Sequence, residues 1–139
     1  MSLPAVSSPV LPRVLLVEDD GAVRRALQLV LRAHGYDVRA YPSAVGLSRD
    51  PEALRAACLV ADLVMPEKGA IELLAALRAA GWQGQAILIS GHLTPEREEQ
   101  AKRAGFARIL AKPIADAALA RAVAELLPKD LGTFPDAGE

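Results

Sequence analysis

Asp19, Asp62, Ser90 and Lys112 each stand just past a short apolar run, and Glu18 sits beside the first of them. The runs are Val14-Leu15-Leu16-Val17, Cys58-Leu59-Val60-Ala61, Ala86-Ile87-Leu88-Ile89 and Ile109-Leu110-Ala111. Such runs read as parallel strands buried on both faces, and an open parallel sheet binds ligands at the carboxyl ends of its strands, near the reversal of strand order. Acids from two strands, a hydroxyl from a third and an ammonium from a fourth then meet in one crevice. That set suits a phosphoryl group and a hard cation. Crowded carboxylates repel, so without a cation one of them should hold its proton more tightly than usual. Oxygen ligands with no thiolate or imidazole nearby select magnesium, manganese or calcium over zinc, and Mg2+ needs only one or two carboxylates beside a phosphate and its own waters. An aspartate there can attack phosphorus and form an acyl phosphate. Lys112 would neutralise one phosphoryl oxygen, and Ser90 would donate a hydrogen bond to another.

Composition narrows the class of protein. A chain of 139 residues is one domain with a real core, and 52% hydrophobic with 24% charged residues reads as globular. The net charge of −1 makes no case for direct nucleic-acid binding. A single cysteine, Cys58, supports neither a disulfide framework nor a zinc cluster, and a cytoplasmic setting is expected. No apolar stretch approaches the roughly 18 residues of a membrane span. Met1 to Pro12 lacks the basic start of a signal peptide and carries three prolines. Residues 1–12 are read as a flexible N-terminal segment, 13–127 as the folded domain and 128–139 as a tail or linker.

Between the ends, a strand–helix unit recurs five times. Strand 1 is Arg13 to Val17. The first helix runs from Asp20, a plausible N-cap, to Gly35, burying Val23, Leu27, Val30 and Leu31 and turning Arg24, Arg25, Gln28 and Arg32 outward. Strand 2, Tyr36 to Tyr41, alternates, which marks an edge or a solvated face. A weaker helix is expected from Pro42-Ser43 to Ala56, with a break at Asp50-Pro51. Strand 3 is Ala57 to Ala61, and a third helix covers roughly Ala70 to Ala80. Strand 4 is Gln85 to Ser90. The fourth helix starts at Thr94 with Pro95 at its first position and ends at Gly105. Strand 5 is Ala107 to Ala111, and the fifth helix spans Asp116 to Leu127. Strict alternation implies an α/β fold, a doubly wound five-stranded parallel sheet with right-handed crossovers. Strands 1, 3, 4 and 5 should be interior or well covered. Order 2-1-3-4-5 satisfies the pattern and puts the reversal beside Asp19 and Asp62.

The bland readings are helix N-capping for Glu18-Asp19-Asp20 and turn residues elsewhere; the joint occurrence at four strand ends outweighs them. His34 and His92 have no partners for a metal site. Cys58 is a small core residue.

Four stretches carry a family resemblance: Leu15-Leu16-Val17-Glu18-Asp19-Asp20, Asp62-Leu63-Val64-Met65-Pro66, Ile89-Ser90-Gly91 and Ala111-Lys112-Pro113. In type, order and spacing they resemble the signatures of receiver domains of bacterial two-component response regulators, over about Arg13 to Leu127. The resemblance implies the flavodoxin-like receiver fold in order 2-1-3-4-5. It implies that Asp62 is the phosphoacceptor, that Ser90 is the switch hydroxyl and that Lys112 contacts the phosphate. Glu18, Asp19, Asp62 and the Val64 backbone carbonyl would hold Mg2+, and the Lys112–Pro113 bond would often be cis. Three positions depart from the family pattern. Ile109 replaces a common Tyr or Phe. Ala70 stands where a Gly is frequent, with Gly69 one place earlier. Glu18 replaces a more usual Asp.

The resemblance implies a switch phosphorylated by a histidine kinase or histidine phosphotransfer domain, which signals to an output domain or protein partner through the face of the fourth helix, fifth strand and fifth helix. Such a protein catalyses only its own phosphorylation and dephosphorylation and is not an enzyme on an outside substrate. A related aspartyl-phosphate phosphatase would need a second Asp where Val64 stands, and no Gly-rich loop follows strand 1 to bind a nucleotide. The remaining rival is a pseudo-receiver, an interaction module that is never phosphorylated. Only a dozen residues follow the last helix, so the chain is expected to be a single-domain regulator or a module of a larger one.

Overall fold

A computed structural model describes residues 11–127. The expected tail and most of the N-terminal segment lie outside them. The elements are β1 (Arg13–Val17), α1 (Gly21–Ala33), β2 (Asp37–Tyr41), β3 (Cys58–Asp62), α2 (Ala70–Ala79), β4 (Gln85–Ser90), α3 (Pro95–Ala104), β5 (Arg108–Ala111) and α4 (Asp116–Leu126). All strand pairs are parallel, and the order is β2-β1-β3-β4-β5, as expected.

Side chains on a strand alternate between faces, so each buried strand feeds two cores. Leu15, Val17, Leu59, Ala61 and Leu88 pack with Leu73, Leu74 and Leu77 of α2 and Ala101 of α3. Val14, Leu16, Cys58, Val60, Ile87 and Ile89 pack with Leu27 and Leu31 of α1 and Leu119 and Val123 of α4. β3 is buried along its whole length, which explains its unbroken apolar sequence. β5 differs from expectation: it is the other edge of the sheet, half-buried in its middle and exposed at both ends.

Local signals set the helix ends. Asp20 caps α1, its carboxylate accepting from the Ala22 and Val23 N–H groups at 3.0 and 3.1 Å. Thr94 caps α3 by accepting from Arg97 N–H at 3.1 Å, with Pro95 following, and Gly105 ends that helix at φ 111°, a left-handed conformation that favours glycine.

The helix expected between Pro42 and Ala56 is absent. Two 3-10 turns, Leu47–Arg49 and Ala53–Arg55, stand in its place. Pro51 offers no N–H and pushes Asp50 into an extended conformation, and Gly46 sits at φ 81° just before the first turn. Buried Leu47 and Ala53 still close that side of the core. The third, fourth and fifth helices of the sequence analysis are therefore α2, α3 and α4.

One charged cluster ties the amino ends of the two strands at this edge. Arg13 Nε donates to Asp37 Oδ2 at 2.9 Å between paired positions of β1 and β2, and Arg13 Nη1 donates to Glu52 Oε1 and the Glu52 carbonyl, both at 2.9 Å. Arg39 Nε reaches Asp37 Oδ1 at 3.3 Å. The Arg13 hydrogen bond holds the Asp37 carboxyl below its ordinary 3.8, against the opposing effect of burial. Because the folded pKa is lowered, the cluster's contribution is complete above 3.8 and fades as pH falls through the lower folded value. Asp37→Asn should therefore be less stable than wild type by on the order of 1 kcal/mol at pH 7, a partly exposed pair being worth no more. The gap should close as urea melts are taken to pH 3 and below. A gap that is independent of pH would show that this ion pair does not set the acid limb of stability.

Candidate functional site

Glu18, Asp62 and Ser90 are the buried polar or charged residues among those described, with exposures of 0%, 7% and 1%. All three stand at the carboxyl ends of adjacent strands, β1, β3 and β4. Burying carboxylates is unfavourable unless something compensates them. Lys112 does so. It leaves β5 with its backbone N–H bonded to the Ser90 carbonyl at 2.8 Å, and its side chain passes the end of β4. Its Nζ then lies 2.7 Å from Glu18 Oε1 and 2.8 Å from Asp62 Oδ2. Four residues separated by up to 94 positions in sequence thus stand together at the carboxyl end of the sheet.

The acids remain short of partners. Glu18 Oε2 accepts from the Asp20 N–H at 3.0 Å. Glu18 Oε1 touches the lysine closely, but not along a hydrogen-bonding direction, and it is the one buried side-chain polar atom without a hydrogen-bond donor among the described residues. Asp19 is exposed at the mouth of the crevice. One oxygen from each of Glu18, Asp19 and Asp62 can be chosen so that all lie within 4.8 Å of one another. Three converging carboxylates, one with a buried oxygen that has an ion-pair neighbour but no hydrogen-bond donor, and no sulfur or imidazole among them, fit a hard divalent cation such as Mg2+.

Burial raises the Glu18 carboxyl above its ordinary 4.5, and the Asp62 charge adds to the rise; Lys112 and the Asp20 N–H oppose it without overcoming it. Burial works against the Lys112 charge, but Asp62 and Glu18 outweigh it, so the ammonium is held above its ordinary 10.5. Lys112 is thus a permanent cation at neutral pH.

The neighbouring loops complete the crevice. Val64 is exposed, and its N–H approaches Asp62 Oδ1 at 3.4 Å. Ser90 Oγ accepts from the His92 N–H at 3.0 Å. Glu67, in the loop after β3, has φ 71°, a left-handed conformation that costs a non-glycine residue about 1 kcal/mol or more. The loop's close approach falls at Gly69, where a Cβ would lie 2.8 Å from the Leu63 carbonyl oxygen, while Ala70 fits fully buried as the first residue of α2. The Gly69–Ala70 order therefore satisfies the packing here. Glu72 Oε1 closes the turn by accepting from the Gly69 N–H at 2.8 Å. The Lys112–Pro113 peptide is cis. Ile109 is half-buried against the core under α2 and α3.

One residue of this region has a different place from that expected. Arg24, assigned to the outward face of the first helix, is half-buried and donates from Nη1 to the Glu18 carbonyl at 2.8 Å. The signal was available in the spacing, since a long side chain one turn past the Asp20 cap reaches back over the helix start.

Comparison with known proteins places this arrangement. The family described as the response regulator receiver domain matches residues 14–124. The transcriptional regulatory protein FixJ of Azorhizobium caulinodans is 34% identical over 79% of this chain and 52% of its own length. The response regulator protein TmoT of Ectopseudomonas mendocina is 30% identical over 91% of this chain and 59% of its own. The chain thus spans little more than half the length of these curated relatives. Among solved structures, FixJ-N superposes with a TM-score of 0.71 at 30% identity, covering 81% of this chain and 90% of that one. A chemotaxis response regulator of Vibrio cholerae gives 0.76 at 21% identity, with 85% and 100% covered, and so shares the fold. With the matched region taking in every strand end of the crevice, the chain belongs to the response regulator receiver domain family.

Proposed function

We propose that the chain is a phosphorylation-activated signalling switch, which accepts a phosphoryl group on Asp62 from the phosphohistidine of a histidine kinase or phosphotransfer domain. The observation that carries this reading is the Lys112 ammonium 2.8 Å from Asp62 Oδ2, inside a crevice where three acids converge. In an in-line transfer an Asp62 oxygen attacks phosphorus, the P–N bond breaks and the imidazole leaves. Mg2+, held by Glu18, Asp19, Asp62 and the Val64 carbonyl, would neutralise charge on the phosphoryl oxygens. Lys112 turns its ammonium from the free carboxylate to a phosphoryl oxygen, and the Ser90 hydroxyl, which uses only its acceptor side toward His92, has its proton free to donate to another.

An apolar groove of about 420 Å³ along Val23, Ala26, Leu27 and Val30 of α1, closed by Pro113 and Ile114, opens beside Lys112 and would receive the donor domain. The added charge would act on α3, β5 and α4, the face that meets an output domain or protein partner. Ile109 is β-branched and stiff at χ1, so on this face it should pack rather than swing. The crevice retains every polar group the transfer needs, which does not favour an unphosphorylated pseudo-receiver. No described helix is long and apolar enough to cross a membrane. Burial pushes the Cys58 thiol up to about 12, so it stays protonated and inert.

Incubation with acetyl phosphate and Mg2+ should add one phosphoryl group, stable in acid and labile in base, and intact-mass spectrometry reads it directly. Asp62→Asn should take up none; persistent labelling of that variant would assign the nucleophile elsewhere.

Magnesium should also stabilise the unphosphorylated fold. A ligand bound only by the native state adds RT ln(1 + [L]/Kd), about 1.4 kcal/mol at ten times Kd. For a domain of this size that raises the melting midpoint by roughly 3–6 °C. Asp19 adds negative charge without a compensating side chain of its own, so Asp19→Asn should melt higher than wild type in chelator and respond little to Mg2+. A wild type indifferent to Mg2+ in thermal melts would mean that these carboxylates do not form a cation site.

A further inference from the structure

The geometry points to Arg24 as a positioning residue for the acidic loop Glu18-Asp19-Asp20, acting on cation binding without touching the cation. The inference deepens the metal-site reading and rests on it. Asp19 is the exposed member of the acid set, and no side-chain hydrogen bond holds its carboxylate among the described residues. Its place is set through its two neighbours. On the carboxyl side, the Asp20 N–H donates to Glu18 Oε2 at 3.0 Å. On the amino side, Arg24 Nη1 donates to the Glu18 carbonyl at 2.8 Å.

The arginine is itself anchored. Its backbone N–H donates to the Asp20 carbonyl at 2.9 Å within the first turn of α1, and its Nη2 lies over Gly21, 3.6 Å from where a Cβ there would stand. A Cβ at 21 would rest in ordinary van der Waals contact with it. Arg24 therefore links the first turn of α1 to the peptide between the two acids, and the rigid guanidinium fork suits a fixed carbonyl better than a flexible ammonium does. Groups that orient ligands in this way commonly change metal affinity by about tenfold or more when removed.

Charge alone makes the opposite forecast, which gives the inference its test. Arg24 is a cation beside a cluster of three acids, so deleting it should tighten divalent-ion binding if its role were electrostatic. Positioning predicts weaker binding. The chain should be titrated with MgCl2 and followed by NMR amide shifts, with thermal melts in chelator recording the stability of each variant. The Mg2+ dissociation constant of Arg24→Ala should rise about tenfold or more over wild type, and Arg24→Lys, able to reach the carbonyl with a single donor, should recover part of it. Arg24→Gln carries the same expectation as alanine and replaces it if alanine does not fold. An unchanged or lower dissociation constant in folded Arg24→Ala or Arg24→Gln overturns the assignment to Arg24 alone. Wild-type spectra that do not move with magnesium overturn the metal-site reading, and the positioning role with it.

Discussion

The Lys112 ammonium lying between the buried carboxylates of Glu18 and Asp62 is the contact on which the rest of the structure depends. Two carboxylates inside a protein, close enough to share one cation, are tolerated only while that cation stays. The cation is delivered from β5, across the end of β4, to groups on β1 and β3. Any slip in the pairing of those four strands would strand a buried charge. The carboxyl end of the sheet thus enforces the register that the apolar faces also favour.

Such an arrangement is poised. The acids are balanced by one lysine, Glu18 Oε1 lacks a donor, and burial already pushes Glu18 toward its protonated form. A further cation would lower the energy of the acids, and the proposed phosphoryl group on Asp62 would give Lys112 a stronger partner. On that proposal the same crevice would have two compensated states, which is what a switch requires. Ordinary packing stability comes from elsewhere, chiefly the two apolar layers that sandwich β1, β3 and β4.

The two helices on one face of the sheet are not equally anchored. α2 buries Ala70, Leu73, Leu74 and Leu77, whereas α3 fully buries Ala101 alone, with Ala104 partly buried beside it, and is charged or polar along most of its length. β5, its neighbour in sequence, is a half-exposed edge strand. Elements with few buried apolar groups move at the least cost in free energy. A change in the position of Lys112 or Ser90, each joined directly to β4 or β5, meets the least resistance there.

Much of this was legible in the chain. Apolar runs and 3.6-residue periodicity specify strands and helices because burial is periodic along the backbone, and Asp20, Thr94 and Gly105 mark helix ends through bonds made within a few residues. The position of Glu18, Asp62, Ser90 and Lys112 just beyond the runs was enough to put them at the carboxyl end of a parallel sheet. Other features depend on distances between residues far apart in sequence, and those only the tertiary structure decided. A weaker helix is expected from Pro42 to Ala56, yet Pro51 and a left-handed Gly46 leave the stretch as two 3-10 turns held by the core. The approach of Leu63 to Gly69 settles why glycine is needed there and alanine suffices at 70. The spacing of Arg24 from Asp20 shows that its side chain can reach back over the helix start, but that it ends on the Glu18 carbonyl is fixed only once the end of β1 is placed beneath it. Sequence order conveys which groups are available and how local backbone must run; whether one lysine spans two buried acids is set by the packing of four strands, which no local pattern contains.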